Sequence, residues 1–228
     1  MKRPFFDHIH KEGYVFAFLF LLVAILLWYV HPWLGKMGAL LTAWCLYFFR
    51  NPNRVVPQRK GLIISPADGV VQLIQTVMPP KELGLGNIPL TRVSVFMNVF
   101  NVHVNRAPVA GTVETIYYHK GRFLNAELDK ASDHNERQLF CVKTDTGQKI
   151  GFVQIAGLVA RRIRCDIREG QKIERGQRFG LIRFGSRVDV FLPNGVSPLV
   201  ALGQTTIAGE TVLGDLQSRE KAREGKVL

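Results

Sequence analysis

The sequence has little cysteine and no clustered metal ligands. Its 228 residues include three cysteines, Cys45, Cys141 and Cys165, which are scattered along the chain. No C-x-x-C pair and no Cys/His spacing typical of a zinc site occurs, and an odd, scattered count argues against a disulfide framework. We therefore expect no metal centre and a reducing, cytosol-facing environment for the soluble part.

Acidic residues are also few: the chain has 18 of them and 30 lysines and arginines, which gives a formal net charge of +12. The excess is concentrated between Arg161 and Arg187, where nine basic residues are opposed by three acidic ones. Such a patch attracts polyanions, either nucleic acid or an anionic membrane surface. A solvated basic face without any partner is the alternative.

No charged residue occurs between Tyr14 and Val30, an apolar run at the lower edge of the length that spans a bilayer. A second apolar run, Met37–Phe49, follows. Basic residues precede the first run and follow the second, whereas the connector carries only Lys36. We therefore predict a membrane-associated helical hairpin over residues 1–55 with both ends in the cytoplasm. Two buried core helices of a soluble protein would be the alternative.

From Gly61 onward, no apolar run is long enough to predict a helix. Short runs rich in β-branched residues alternate with Gly, Pro, Asn and Asp, which indicates strands. The predicted fold class is α+β and mainly β, with a β-rich sandwich or hybrid-barrel-like catalytic domain over residues 56–228. Two segments, Gly170–Gln177 and Gly203–Glu210, echo each other and are similar to the strand-turn-strand pattern of lipoyl- and biotinyl-type sandwiches.

Four segments contain residues that could carry chemistry, although each is unremarkable when taken alone. Gly-Ser in Phe184–Asp189 is a common turn, and Asp-Gly in Ser65–Gly69 is a strong hairpin signal. A lone histidine in Val99–Pro108 is more often structural, and Asn135–Arg137 alone indicates a solvated charge cluster.

Together and in this order, the segments resemble the phosphatidylserine decarboxylase family in its short bacterial-type form. The resemblance covers nearly the whole chain. The matching motifs are, in chain order, Phe48-Phe49-Arg50-Asn51-Pro52-Asn53-Arg54, Pro66-Ala67-Asp68-Gly69, His103 with Pro108 and Gly111, Asn135-Glu136-Arg137, Gly176-Gln177-x-x-Gly180, and Phe184-Gly185-Ser186. The resemblance implies decarboxylation of phosphatidylserine to phosphatidylethanolamine and CO2.

The resemblance also implies that the cofactor is made from the chain itself. Ser186 would attack the Gly185 carbonyl, and the chain would split into a large subunit, residues 1–185, and a small subunit, residues 186–228. Residue 186 would become a covalent pyruvoyl group whose ketone forms a Schiff base with the substrate amine. Decarboxylation needs such an electron sink, because no ordinary side chain accepts the resulting carbanion charge. Pyridoxal phosphate would need a lysine and a phosphate cradle, and the sequence has no convincing Gly-rich phosphate loop.

His103 and Asp68 are the expected helpers of Ser186. A serine hydroxyl needs an adjacent base, and histidine has an unperturbed pKa of about 6.5. Asp68 would orient the His103 ring, a division of labour like that of a serine-protease triad. The sequence departs from the family in two places: Arg106 stands where longer members have a second histidine, and the cleavage site reads Phe184-Gly185-Ser186-Arg187 where the family often has Leu-Gly-Ser-Thr.

The implied partners are a phospholipid substrate and an anionic membrane, with the two fragments forming a heterodimer and no nucleic acid bound. The expected location is the inner cell membrane, with the catalytic domain facing the cytoplasm. Three other functions stay open: a pyruvoyl decarboxylase for a soluble amino acid, one for a related serine lipid, and a membrane-anchored lipoyl-like module without catalysis.

Overall fold

A computed structural model describes residues 8–121, 135–157, 162–183 and 186–226. The described chain is mainly β with two N-terminal helices, as the sequence predicts. It divides into two compact units, residues 1–53 and 54–228. The predicted boundary after residue 55 lies two residues from this division.

Helix α1 spans Lys11–Val30 and helix α2 spans Pro32–Phe48, with His31 as the one residue between them. The helices extend beyond the apolar runs because their ends are capped. The His10 side chain accepts a hydrogen bond from the Glu12 amide, and His31 accepts one from the Trp33 amide with Pro32 in the first helical turn. Among the described helices, only α1, with 20 residues, is long and apolar enough to cross a membrane.

Small residues let the two helices approach closely. A Cβ atom on Gly35 would lie 2.5 Å from the Trp28 ring, and one on Gly38 would lie 2.6 Å from the Cβ of Ala24. Glycine and alanine at such crossings are typical of helices packed in a membrane. The other faces expose large apolar side chains; Phe18 and Leu26, for example, are more than half exposed.

The second unit contains thirteen strands in its described part. They are β1 Leu62–Ile64, β2 Gly69–Val77, β3 Leu90–Met97, β4 Val104–Arg106, β5 Gly111–His119, β6 Arg137–Lys143, β7 Lys149–Ala156, β8 Ile163–Cys165, β9 Lys172–Ile173, β10 Arg178–Ile182, β11 Ser186–Leu192, β12 Thr205–Thr206 and β13 Val212–Asp215. The predicted loop between β2 and β3 contains one short 3₁₀ turn, Lys81–Leu83.

The strands form one large antiparallel sheet and two small ones. The large sheet has the order β12-β2-β3-β11-β7-β6-β5-β9, and the two echoing segments supply its opposite edges, β9 and β12. It curls into a half-barrel around the core. The three-stranded sheet β4-β10-β8 closes this core, because Phe179 of β10 packs 5.1 Å from the Phe140 ring and 5.2 Å from the Phe152 ring.

The hairpin that Asp-Gly alone would indicate at Ser65–Gly69 is wrong. Strand β1 pairs with β13, whereas β2 pairs with β3 and β12. The segment instead carries the chain from the small two-stranded sheet to the large sheet. The backbone of this turn is tied to β4, since the Arg106 amide donates to the Pro66 carbonyl at 2.9 Å.

Candidate active site

Ser186 opens strand β11, which lies between β3 and β7 in the large sheet and pairs Ser186 with Met97 and Ala156. The serine is fully buried, and its Oγ has no hydrogen-bond partner among the described residues. An unpaired buried hydroxyl costs about 1–3 kcal/mol, so natural proteins rarely keep one without a reason. Gly185, which carries the predicted scissile carbonyl, lies outside the described residues, as does Phe184.

The neighbourhood of Ser186 on the inner face of the sheet is mostly apolar. Met97, Ala156, Ile182 and Val188 pack there in one buried cluster. The Asn-Glu-Arg segment fixes the end of β7 beside them. Asn135 donates from Nδ2 to the Ala156 carbonyl at 2.7 Å, and the Ala156 amide donates to the Glu136 carbonyl at 2.9 Å. The sequence segments containing Ser186 and Asn135 are therefore joined through Ala156.

His103 is fully buried and immediately precedes β4. Its carbonyl accepts a hydrogen bond from the Ile182 amide at 3.4 Å, which places it beside the strand that leads toward Ser186. Its Nδ1 lies 3.0 Å from the Asn101 carbonyl oxygen. Because a carbonyl oxygen only accepts, this contact favours a proton on Nδ1 and makes Nε2 the basic nitrogen of a neutral ring.

Asp68 lies next to β2 with both carboxylate oxygens engaged. The Arg54 guanidinium donates to Oδ2 at 2.6 Å, and the Ala208 amide donates to Oδ1 at 2.8 Å. The group that faces Nδ1 of His103 is the Asn101 carbonyl and not Asp68. The orienting role of Asp68 toward His103 therefore stays a prediction.

Arg106, at the position of the family's second histidine, does not supply a replacement base. Its Nη1 donates to the Gly176 carbonyl at 2.9 Å. Burial, together with the positive charges of Arg178 and Arg54, lowers the pKa of Arg106 to about 10. The guanidinium thus remains protonated at neutral pH and can only donate hydrogen bonds.

Arg187, at the second departure from the family pattern, forms a buried ion pair. Its Nε and Nη2 donate to the two carboxylate oxygens of Asp189 at 2.8 and 2.9 Å, and Nε of Arg92 lies 3.8 Å from the same carboxylate. The prediction that Arg187 belongs to a surface patch is wrong, because its side chain is fully buried. Residues alternate across a strand, so this pair occupies the opposite sheet face from Ser186.

Two buried polar residues lie on the inner side of the large sheet and were not expected from the sequence. Gln154 of β7 donates from Nε2 to Oδ1 of Asn105 at 2.8 Å, and both residues are fully buried. Gln154 interrupts the apolar run Ile150–Ile155, and Asn105 follows His103 at a spacing of two. A single amide inside a buried strand was the available signal, since such a group needs a specific partner.

Comparison with known proteins gives a consistent family assignment. The profile of the family described as phosphatidylserine decarboxylase matches residues 41–214. The chain is 59% identical to the phosphatidylserine decarboxylase proenzyme of Paramagnetospirillum magneticum, over 96% of this chain and 91% of that protein. It is 56% identical to the proenzyme of the same name from Cereibacter sphaeroides, over 99% and 97% of the two chains.

Among solved structures, the glucose permease IIA from Mycoplasma capricolum aligns with a TM-score of 0.39 and 15% identity. That alignment covers 68% of this chain and 95% of the permease chain.

Proposed function

Because the chain belongs to the phosphatidylserine decarboxylase family, we propose that it releases CO2 from phosphatidylserine to give phosphatidylethanolamine, after cutting itself between Gly185 and Ser186. The observation that carries the proposal is the buried hydroxyl of Ser186, which has no hydrogen-bond partner among the described residues. It stands at the first residue after the proposed cleavage site, in a central strand of the large sheet.

Self-cleavage needs only groups of this chain and one water. The Ser186 oxygen attacks the Gly185 carbonyl carbon while a base takes the hydroxyl proton, and the amide nitrogen of residue 186 leaves as an amine, which converts the peptide into an ester. Removal of the α-proton of residue 186 then expels Oγ as part of the Gly185 carboxylate. Water replaces the nitrogen of the resulting dehydroalanyl residue, which yields ammonia and the pyruvoyl group. His103 is the proposed base, through Nε2.

The residues around position 186 fit a pyruvoyl group. That group is no larger than the serine from which it forms. The apolar side chains of Met97 and Ala156 would line its site. The group supplies the electron sink that decarboxylation requires. The proposed tasks of the protein are to exclude water with this buried cluster and to return a proton to the substrate carbon from His103.

The strand order supports a stable pairing of the two proposed fragments. After cleavage, the small fragment 186–228 would keep β11 hydrogen bonded to β3 and β7 of the large fragment. It would also keep β13 on β1 and β12 on β2. No covalent link is needed for the heterodimer, because three strands hold the small fragment in sheets of the large one.

We also propose that α1 and α2 bring the chain to the inner membrane with the catalytic unit on the cytoplasmic side. The exposed apolar side chains of the helices and the close helix crossing at Gly35 and Gly38 support this location. Positive residues at both flanks of the hairpin favour the cytoplasmic orientation. Such an anchor would hold the catalytic unit at the membrane, where a lipid substrate lies.

Replacement of Ser186 by alanine tests the proposal. We expect Ser186→Ala to remain one uncleaved chain without activity, whereas the unchanged protein splits before residue 186 and releases CO2 from phosphatidylserine. Denaturing gels, intact mass and a decarboxylation assay in mixed micelles provide the measurements.

Ser94→Ala is the matched control, because Ser94 is also fully buried with an Oγ that lacks a partner among the described residues, but lies on β3. This control should split normally. A Ser186→Ala chain that still splits and decarboxylates would overturn the proposal.

A further inference from the structure

Gln154 and Ser186 lie on the same face of the large sheet at diagonal positions. Strand β7 pairs Ala156 with Ser186 and Gln154 with Val188, and residues directly opposite each other in a sheet share a face. Diagonal neighbours are about 7–8 Å apart, within reach of a long side chain. Ala156, directly opposite Ser186 and next to Gln154 on this face of β7, has a side chain of only one methyl group.

The orientation of the Gln154 amide is set by a chain of hydrogen bonds. The Pro66 carbonyl can only accept, so it faces Nδ2 of Asn105 at 3.4 Å, and Oδ1 of Asn105 is left to face β7. Nε2 of Gln154 fills that position at 2.8 Å. Oε1 of Gln154 is consequently directed elsewhere, and it is buried without a hydrogen-bond partner in the described part of the chain.

Glycine at position 180 leaves room for this arrangement. A Cβ atom there would lie 3.3 Å from Nε2 of Gln154 and 2.2 Å from the Arg164 carbonyl oxygen. A side chain at position 180 would therefore press on the Gln154 amide as well as on the neighbouring strand. The second glycine of the Gly176-Gln177-x-x-Gly180 motif thus accommodates the amide that faces the inner side of the sheet.

Ser186 Oγ and Gln154 Oε1 are two buried acceptors that need two donors. If Ser186 donates its own proton to His103, its oxygen still needs to accept a hydrogen bond. A water molecule has two donors and matches this pair, since ordered waters commonly satisfy buried polar groups that the protein leaves unpaired. An amide oxygen also holds a water without removing its proton.

We propose that Gln154 is a positioning residue that binds the water used to finish the cofactor. This inference rests on the proposed function and names the step of maturation that follows chain cleavage. The water oxygen adds to Cα of the dehydroalanyl residue at position 186, the nitrogen departs as ammonia, and the side-chain methylene gains a proton to become a methyl group. By this step the former Ser186 Oγ belongs to the Gly185 carboxylate, so Gln154 Oε1 is the acceptor that remains; it accepts a hydrogen bond from this water and directs its oxygen toward Cα.

The test separates chain cleavage from cofactor completion. Gln154→Met keeps the length of the side chain and removes the acceptor oxygen together with the Nε2 donor to Asn105. We expect it to cleave at the rate of the unchanged protein but to form the pyruvoyl group about tenfold more slowly, the effect of one lost hydrogen bond to the reacting water. Intact mass of the small fragment distinguishes the two forms, because completion exchanges NH for O, and maturation in ¹⁸O water labels the ketone.

Two further variants complete the design. Gln138→Met removes the amide directly opposite Gln154 on β6, one strand farther from Ser186, and should change neither rate. Gln154→Glu restores an acceptor oxygen and should complete the cofactor faster than Gln154→Met.

The inference is overturned if Gln154→Met completes the cofactor at the unchanged rate, if cleavage and completion slow together, or if Gln154→Glu gives no rescue. A wild-type chain that never splits would instead overturn the proposed function itself.

Discussion

Two turns of the catalytic unit share one backbone design but differ in chemistry. Ser65–Gly69 leads into β2, and Ala107–Gly111 leads into β5; both strands have nine residues with the same order of buried and exposed positions. Each strand starts at a glycine beside a neighbouring carbonyl. A Cβ atom would lie 2.0 Å from the Phe96 oxygen at Gly69 and 2.2 Å from the Lys143 oxygen at Gly111.

The partners of the two strands repeat as well. The Val71 backbone accepts from the Gly203 amide and donates to the Gln204 carbonyl, at 2.8 and 2.9 Å. The Val113 backbone makes the same pair of bonds, at the same two lengths, with Gly170 and Gln171. The echo between the segments Gly170–Gln177 and Gly203–Glu210 is therefore a repeated structural unit at opposite edges of the large sheet.

The side chains at equivalent positions distinguish the two turns. The first turn has Ser65 and Asp68 where the second has Ala107 and Ala110. Ser65 Oγ donates to the Ala67 carbonyl at 2.8 Å. The Asp68 carboxylate accepts hydrogen bonds from the Arg54 guanidinium and the Ala208 amide. Because the second turn keeps a similar backbone without these groups, the backbone of such a turn does not require them. The comparison supports a functional role for the polar set of the first turn.

The largest expected effect comes from making the first turn chemically like the second. Asp68→Ala should fold, since alanine occupies the equivalent position 110, but we expect self-cleavage to slow by about a hundredfold or more if Asp68 supports the base. The measurement is the split fraction over time on denaturing gels, with thermal unfolding as the check on folding.

Ala110→Asp is the matched control, since it places a carboxylate on the exposed equivalent of the second turn and should leave cleavage unchanged. If Asp68→Ala splits as fast as the unchanged chain, Asp68 serves only to bind Arg54 and the Ala208 amide.

Alanine substitutions at Gly69 and Gly111 test the comparison through the free energy of unfolding. Gly69→Ala and Gly111→Ala each force a methyl group against a carbonyl oxygen, so we expect both to lower the free energy of unfolding by about 1–3 kcal/mol. Urea unfolding in an uncleaved Ser186→Ala background gives these values. In the cleavable chain, Gly69→Ala should slow splitting more than Gly111→Ala, because Gly69 adjoins Asp68. Equal effects on splitting would show that the two turns are functionally alike.

Local features of the repeat were predictable from the sequence. Alternating apolar residues after Gly69 and Gly111 indicate strands, and the echo between Gly170–Gln177 and Gly203–Glu210 indicates two similar local units, because both signals depend on neighbouring residues alone. The two helices are predicted by apolar runs, although His10 and His31 extend them by capping. The order of the large sheet was not predictable, since it depends on contacts between distant parts of the chain.

The site was predictable only in part, for a related reason. Ser186 and His103 are expected from the resemblance to the family, but the contact between Asp68 and Arg54 crosses 14 positions and depends on the folded turn. Arg187 lies in a run of basic residues that is typical of a surface. Its burial becomes understandable only when Asp189, two positions later, balances its charge with two hydrogen bonds.

The smallest expected effect tests the remaining difference between the turns. Ser65→Ala reproduces Ala107. It removes the hydrogen bond that Oγ donates to the Ala67 carbonyl at 2.8 Å and the longer contacts of Oγ with the Ala67 amide at 3.4 Å and Thr206 Oγ1 at 3.3 Å, while the carbonyl still accepts from Oγ1 of Thr206 at 3.1 Å. We expect a loss of about 1 kcal/mol in the free energy of unfolding and no change in the rate of splitting. Ser94→Ala provides the comparison, because its hydroxyl has no partner among the described residues and its removal should cost nothing or stabilise the chain. A cleavage defect in Ser65→Ala at unchanged stability would instead place Ser65, with Asp68, among the residues that support the reaction at Ser186.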